Sequence, residues 1–185
     1  MATLDHLVIA ARDLDSGARW LEARLGVPLV PGGVHAAMGT HNRLLKLAGG
    51  DRLYLELIAI DPAAAPPPRQ RWFGLDDPAL QARLVECPRL IHWVARSDDL
   101  AHEATPAHGE ILSMQRGDYR WRITVPADGR LPGGGRQPTL IQWDVLFHPA
   151  ERLPESGCTL LTLDTSTPGR LLATLETPRG RVALD

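Results

Sequence analysis

The sequence predicts an α+β fold made of two copies of one βαβββ module followed by a short extension. Three observations carry that reading. The stretch "LDHLVIAARDL", residues 4–14, returns without a gap as "LIHWVARSDDL", residues 90–100, matching Leu4/Leu90, His6/His92, Val8/Val94, Asp13/Asp99 and Leu14/Leu100. Each copy leads into a helical pattern and then three short apolar runs separated by Gly- and Pro-rich turns. A chain of 185 residues has room for two small units that share a core.

The elements follow in order. "HLVIAA" is apolar and β-branched, a first strand. Asp15 or Ser16 can cap a helix over roughly residues 16–25, with Ala18, Leu21 and Leu25 at helical spacing and Gly26 as its stop. Pro28 forbids further helix, and "PLVPGGVH", "NRLLKLA" and "RLYLELIAI" read as three strands divided by turn residues. Residues 1–60 thus form the first module. The proline-rich residues 61–78, "DPAAAPPPRQRWFGLDDP", are a linker. Residues 79–149 repeat the order as "RLIHWVAR", a helix from Asp98 or Asp99 that ends before Pro106, then "GEILSMQR", "YRWRITV" and "TLIQWDVLF". Residues 150–185 add a strand "CTLLTL", a short helix after Pro168 and a closing "GRVALD", all within one compact unit.

Composition removes several function classes. With 20 basic and 22 acidic residues and no run of one sign, the surface suits neither a phosphate backbone nor an anionic membrane. No segment is apolar for the roughly 18 residues a span needs, and "LVIAA" is too short for a signal core. Cys87 and Cys158 are too few for a disulfide framework. The expectation is a cytoplasmic monomer or homodimer whose partner is a small molecule, with no nucleic acid and no membrane.

Facing selects the candidate site, because alternate strand residues point to opposite sides. Ile141, Trp143, Val145 and Phe147 make one apolar side of the last strand and are expected to pack helices, leaving Gln142 on the concave side. The same rule places His6, Glu56 and His92 there. Glu56 and Gln142 stand at the repeat offset of 86, so each histidine is followed 50 residues later by a carboxylate or a carboxamide. Two imidazoles and a carboxylate can hold a divalent first-row metal with open positions, the amide oxygen being a weaker fourth ligand. Equally, a strand histidine can hydrogen-bond inside a dry pocket.

Paired βαβββ modules with such residues on their first and last strands resemble the vicinal oxygen chelate superfamily. Within it, "LDHLVIAARDL", "GGVHAAMGTHNRLLKL", "YLELIAIDP", "RWFGLDDP" and "PTLIQWD" look like the glyoxalase-like domain group. The resemblance implies a half-open barrel with helices outside. It also implies that His6, Glu56, His92 and Gln142 occupy the four metal-ligand places, with glutamine standing where a carboxylate is common.

The remaining polar candidates surround that site. His41 and Asn42 in "GTHNRL" are expected at a substrate-contacting rim, Arg120 or Arg122 can fork onto a substrate carboxylate, and Trp72 can close over a ligand. "GRLPGGGR" lacks the ending and context of a phosphate loop. With one divalent ion (Zn, Ni, Mn or Fe) bound, the expected chemistry is isomerase, lyase or epimerase action on a small carbonyl or vicinal-oxygen compound through a stabilised enediolate. Glu56 would move the proton. The alternatives are a metal-free binding or sequestering protein and an Fe(II) extradiol-type dioxygenase.

Overall fold

The computed structural model describes residues 2–167 and 170–185. Eight strands form one curled sheet in the order β2-β3-β4-β1-β5-β8-β7-β6, an α+β half-barrel. The first module runs β1 (Thr3–Ala10), α1 (Leu14–Leu25), β2 (Val30–His35), β3 (Thr40–Leu47) and β4 (Leu53–Ile60). The second runs β5 (Arg89–Arg96), α3 (Leu100–Glu103), β6 (Glu110–Arg116), β7 (Tyr119–Val125) and β8 (Thr139–Trp143). β1 lies parallel to β4, β5 lies parallel to β8, and β1 joins β5 antiparallel, so one chain supplies the whole sheet.

Local chemistry accounts for the helices, with three departures from the sequence reading. Helix α1 starts two residues early because the Asp13 side chain, not Asp15 or Ser16, caps it by accepting from Ser16 N at 2.7 Å; Gly26 ends it at φ 78°. The linker contains a 3-10 turn, Trp72–Gly74, and runs into a further helix, α2 (Pro78–Leu84), opened by Asp77 and by proline in its first turn. The expected helix after Pro168 is replaced by a strand. Pro168 and Gly169 lie outside the described residues, and β10 (Leu172–Thr177) follows.

That strand belongs to a second sheet, β11-β10-β9, built from β9 (Thr159–Asp164), β10 and β11 (Gly180–Leu184). Leu171, Ala173, Leu175 and Leu184 join Leu7, Ile9, Leu21, Leu55, Leu90 and Trp93 in one buried cluster. Helix α3 is a single turn, too short to cover the outer face of β5 as α1 covers β1 and β4. The C-terminal sheet covers Leu90 and Trp93 instead. A second cluster, including Val8, Ile58, Phe73, Val94, Trp121 and Ile141, fills the concave side.

Candidate active site

The concave face of β1 carries two neighbouring side chains where alternation allows one. The register of β1 against β5 shifts between Leu4 and His6, so Asp5 is the extra residue of a β-bulge and turns inward beside His6. Asp5 is fully buried. It accepts from His6 Nδ1 at 2.7 Å, His148 Nε2 at 3.0 Å, Trp143 Nε1 at 3.0 Å and Arg96 at 3.5 Å. Burial alone would raise its pKa, but the hydrogen bonds and charges of His148 and His6 outweigh this and hold the carboxyl well below the usual range. His148, on the turn that opens α4 (Pro149–Arg152), is fixed in turn by Ala150 N donating to its Nδ1.

The other ring nitrogen of His6, Nε2, faces Glu56 Oε2 at 3.7 Å. Tyr54 stacks on the imidazole with ring centroids 4.5 Å apart. Glu56 is buried and accepts from Asn42 Nδ2 at 2.5 Å, while Arg116 reaches across from edge strand β6 to donate to Asn42 Oδ1 at 2.9 Å. His35 completes the group, its Nδ1 3.1 Å from Thr40 Oγ1 and its Nε2 4.0 Å from Glu56. Burial drops the His35 pKa to about 4 despite Glu56, so this imidazole is neutral at pH 7.

The "PGG" of β2 explains how these chains approach. A Cβ on Gly32 would stand 2.0 Å from Asn42 Oδ1, and one on Gly33 would stand 2.7 Å from Arg116 Cδ. The chamber these residues enclose retains only about 20 Å³ of free space, roughly one water. Trp72, Phe73, Trp121, Ile123 and Trp143 close it. Trp72 is therefore packed into the wall, stacked on Phe73 at 5.3 Å.

The structure brings His6 and Glu56 together, with Asn42 buried beside Glu56 and not at a rim, and with Trp72 in the chamber wall; the other candidates lie apart from this group. Gln142 points to the outer face, where its Oε1 accepts from Leu100 N and its Nε2 donates to Asp98 O, both at 3.0 Å. The facing assigned to β8 is inverted: Ile141 and Trp143 line the chamber. A shift in pairing is the reason. Val8 lies beside Glu56, but Val94 lies beside Thr139, so the second module is three residues shorter and Thr139 takes the place of Glu56.

His92 keeps the concave face, yet its Nε2 accepts from Thr139 N at 3.0 Å and lies 3.1 Å from Thr139 Oγ1. That acceptor role puts the ring proton on Nδ1, which is buried and has no hydrogen-bond partner among the described residues. Burial lowers the His92 pKa to about 3. Arg122 is held by Asp144 at 3.0–3.2 Å on the outer side, and Arg120 is exposed. His41 shares the outer face of β3 with Arg43, which pairs with Asp15 of α1. Asp5, His35, Arg116 and His148 were missed. The bulge of β1, the end of β2, edge strand β6 and a C-terminal turn deliver them; the bulge recurs in β5, but there the extra residue at the same offset is the apolar Ile91, so the repeat does not mark Asp5.

These positions decide the fit of a divalent ion. His92 has no free lone pair and Gln142 lies across the sheet, so the implied four-ligand set does not fit this arrangement. Among the described residues no group of three or more His, Cys, Asp and Glu side chains is placed to hold a metal.

A curled sheet of two βαβββ modules over a buried His–Glu pair defines a vicinal oxygen chelate fold. The glyoxalase-like domain family matches residues 4–177, and the chain belongs to that family. No curated protein sequence matches it. Among solved structures, a hypothetical protein from Staphylococcus aureus superposes with a TM-score of 0.55 at 13% identity, covering 99% of this chain and 84% of that one. Streptomyces coelicolor methylmalonyl-CoA epimerase gives 0.49 at 21% identity, covering 80% of this chain and 100% of that one. The Mycobacterium tuberculosis epimerase gives 0.45 at 21%, covering 76% and 86%. Likeness at these identities concerns the fold alone.

Proposed function

We propose that the chain moves a proton on a small carbonyl compound, as an isomerase or epimerase, with Glu56 and His6 as the two proton-carrying groups. The alignment of Asp5, His6 and Glu56 carries this reading: Asp5 fixes Nδ1, which leaves Nε2 turned toward a buried carboxylate 3.7 Å away. Glu56 takes the proton next to the carbonyl and, once protonated, returns it to the neighbouring carbon of the enediolate, while the Nε2 lone pair takes the hydroxyl proton and returns it to the former carbonyl oxygen. The chamber walls are aromatic, so water is excluded and charge developing on the carbonyl oxygen is strongly felt. Arg116, for which no carboxylate partner occurs among the described residues, lines the chamber and offers that oxygen a donor fork. Entry requires Trp72 and Phe73 to move.

Solvent deuterium exchange tests this directly. Candidate 2-hydroxy and 2-oxo compounds incubated in D2O should gain deuterium at the carbon beside the carbonyl, and Glu56→Gln and His6→Gln should abolish it. Exchange that survives both substitutions would place the chemistry elsewhere. The aromatic closure by Trp72, Trp121 and Trp143 supports a second reading, sequestration without turnover. Saturable binding without exchange would select it.

A further inference from the structure

A second cavity lies outside the polar chamber, between α2, the start of β5 and the loop joining β7 to β8. It encloses about 560 Å³, within the range typical of small-molecule sites. Phe73, Leu80, Leu90, Ile91 and Leu131 give it apolar walls. Its charged groups are Asp77, Arg83, Asp128 and Arg130. Both acids have local roles: Asp77 caps α2 by accepting from Ala79 N at 2.8 Å, and Asp128 accepts from Arg130 N at 3.1 Å and faces Arg130 Nε at 3.8 Å. Arg83 has no carboxylate partner among the described residues. The cavity therefore combines apolar walls with two carboxylates and two guanidiniums whose charges balance, and its exposed Arg83 is the guanidinium left without an ion pair among the described residues.

We propose that this cleft is a binding site for an amphipathic carboxylate, its hydrocarbon body against Leu80, Leu90, Ile91 and Leu131 and its carboxylate on Arg83. Burying a chain of six to eight carbons removes apolar surface from water, while the guanidinium gives the carboxylate a paired, charge-assisted contact. Phe73 is the wall shared with the polar chamber. It holds a left-handed backbone, φ 58°, unusual for an aromatic residue, so it is the side chain a deeper ligand would displace. The site does not depend on the proton-transfer reading, since its test measures binding alone.

The experiment titrates the full chain with octanoate, octan-1-ol and octylamine by calorimetry and ligand-observed NMR. Octanoate should bind with a Kd on the order of 1 mM or tighter, as its size allows. Octan-1-ol should bind about tenfold more weakly, a loss typical of one charge-assisted contact. Arg83→Gln, at an exposed position, should erase that preference without changing the fold, and Leu80→Trp should block all binding. No binding of octanoate would overturn the proposal. Binding unchanged by both substitutions, or equal binding of the amine, would overturn it as well.

Discussion

Asp5→Asn is the most informative single change, because the two atoms of one carboxylate organise the chamber. In the native chain Oδ1 takes the His6 proton, while Oδ2 takes His148, Trp143 and Arg96. An amide offers one oxygen and one NH2. Turned with its oxygen toward the three donors, it presents N–H groups to His6 Nδ1, and the imidazole must shift its proton to Nε2, toward Glu56. Turned the other way, it sets N–H against three donors inside the protein. Leaving buried charged partners uncompensated costs about 3–5 kcal/mol, a fall in Tm of roughly 10 °C for a chain of this size.

The assay pairs urea unfolding with long-range 15N NMR of the histidine rings. Native His6 should carry its proton on Nδ1, and Asp5→Asn should move it to Nε2 and abolish the deuterium exchange. The sign with pH follows from the lowered Asp5 pKa. Its stabilisation is present above the unfolded value of 3.8 and is lost as pH falls through the lower folded one, so the gap between native and variant narrows in acid. A variant within 1 kcal/mol of native that keeps the Nδ1 proton would refute the bulge-based account of the site.

Three further outcomes are expected. His92, whose folded pKa is about 3, stabilises the native state above pH 6.5 and progressively less below it, so His92→Gln should flatten the acid decline by about 1 kcal/mol per pH unit in urea titrations between pH 6 and 4. Gln142→Glu loses the bond to Asp98 O and should cost about 1 kcal/mol, with no gain in divalent affinity by zinc titration; a tighter zinc site would return Gln142 to the metal set. Gly32→Ala, which drives a methyl into Asn42, should cost about 1–3 kcal/mol and weaken exchange, measured by Tm and D2O uptake.

The sequence made the first module legible because there period and partner agree. Leu7 and Ile9 pack beneath α1, so His6 and Glu56 are forced to the other side, and the register Val8 to Glu56 leaves them in contact. The second module broke the rule because both faces of β8 are covered by apolar groups. Trp121 and Trp143 fill the chamber, and Leu140 packs with Ala95 and Leu100 outside, so polarity could not say which side was which. The matched offset of Glu56 and Gln142 then pointed to a pair that a three-residue difference had already separated, since an odd shift reverses every side chain on a strand. Asp5 shows the same limit in one residue. Alternation assigns it to the face opposite His6, and only the extra residue in the β1–β5 ladder turns it inward, where it holds the imidazole on which the proposed chemistry depends.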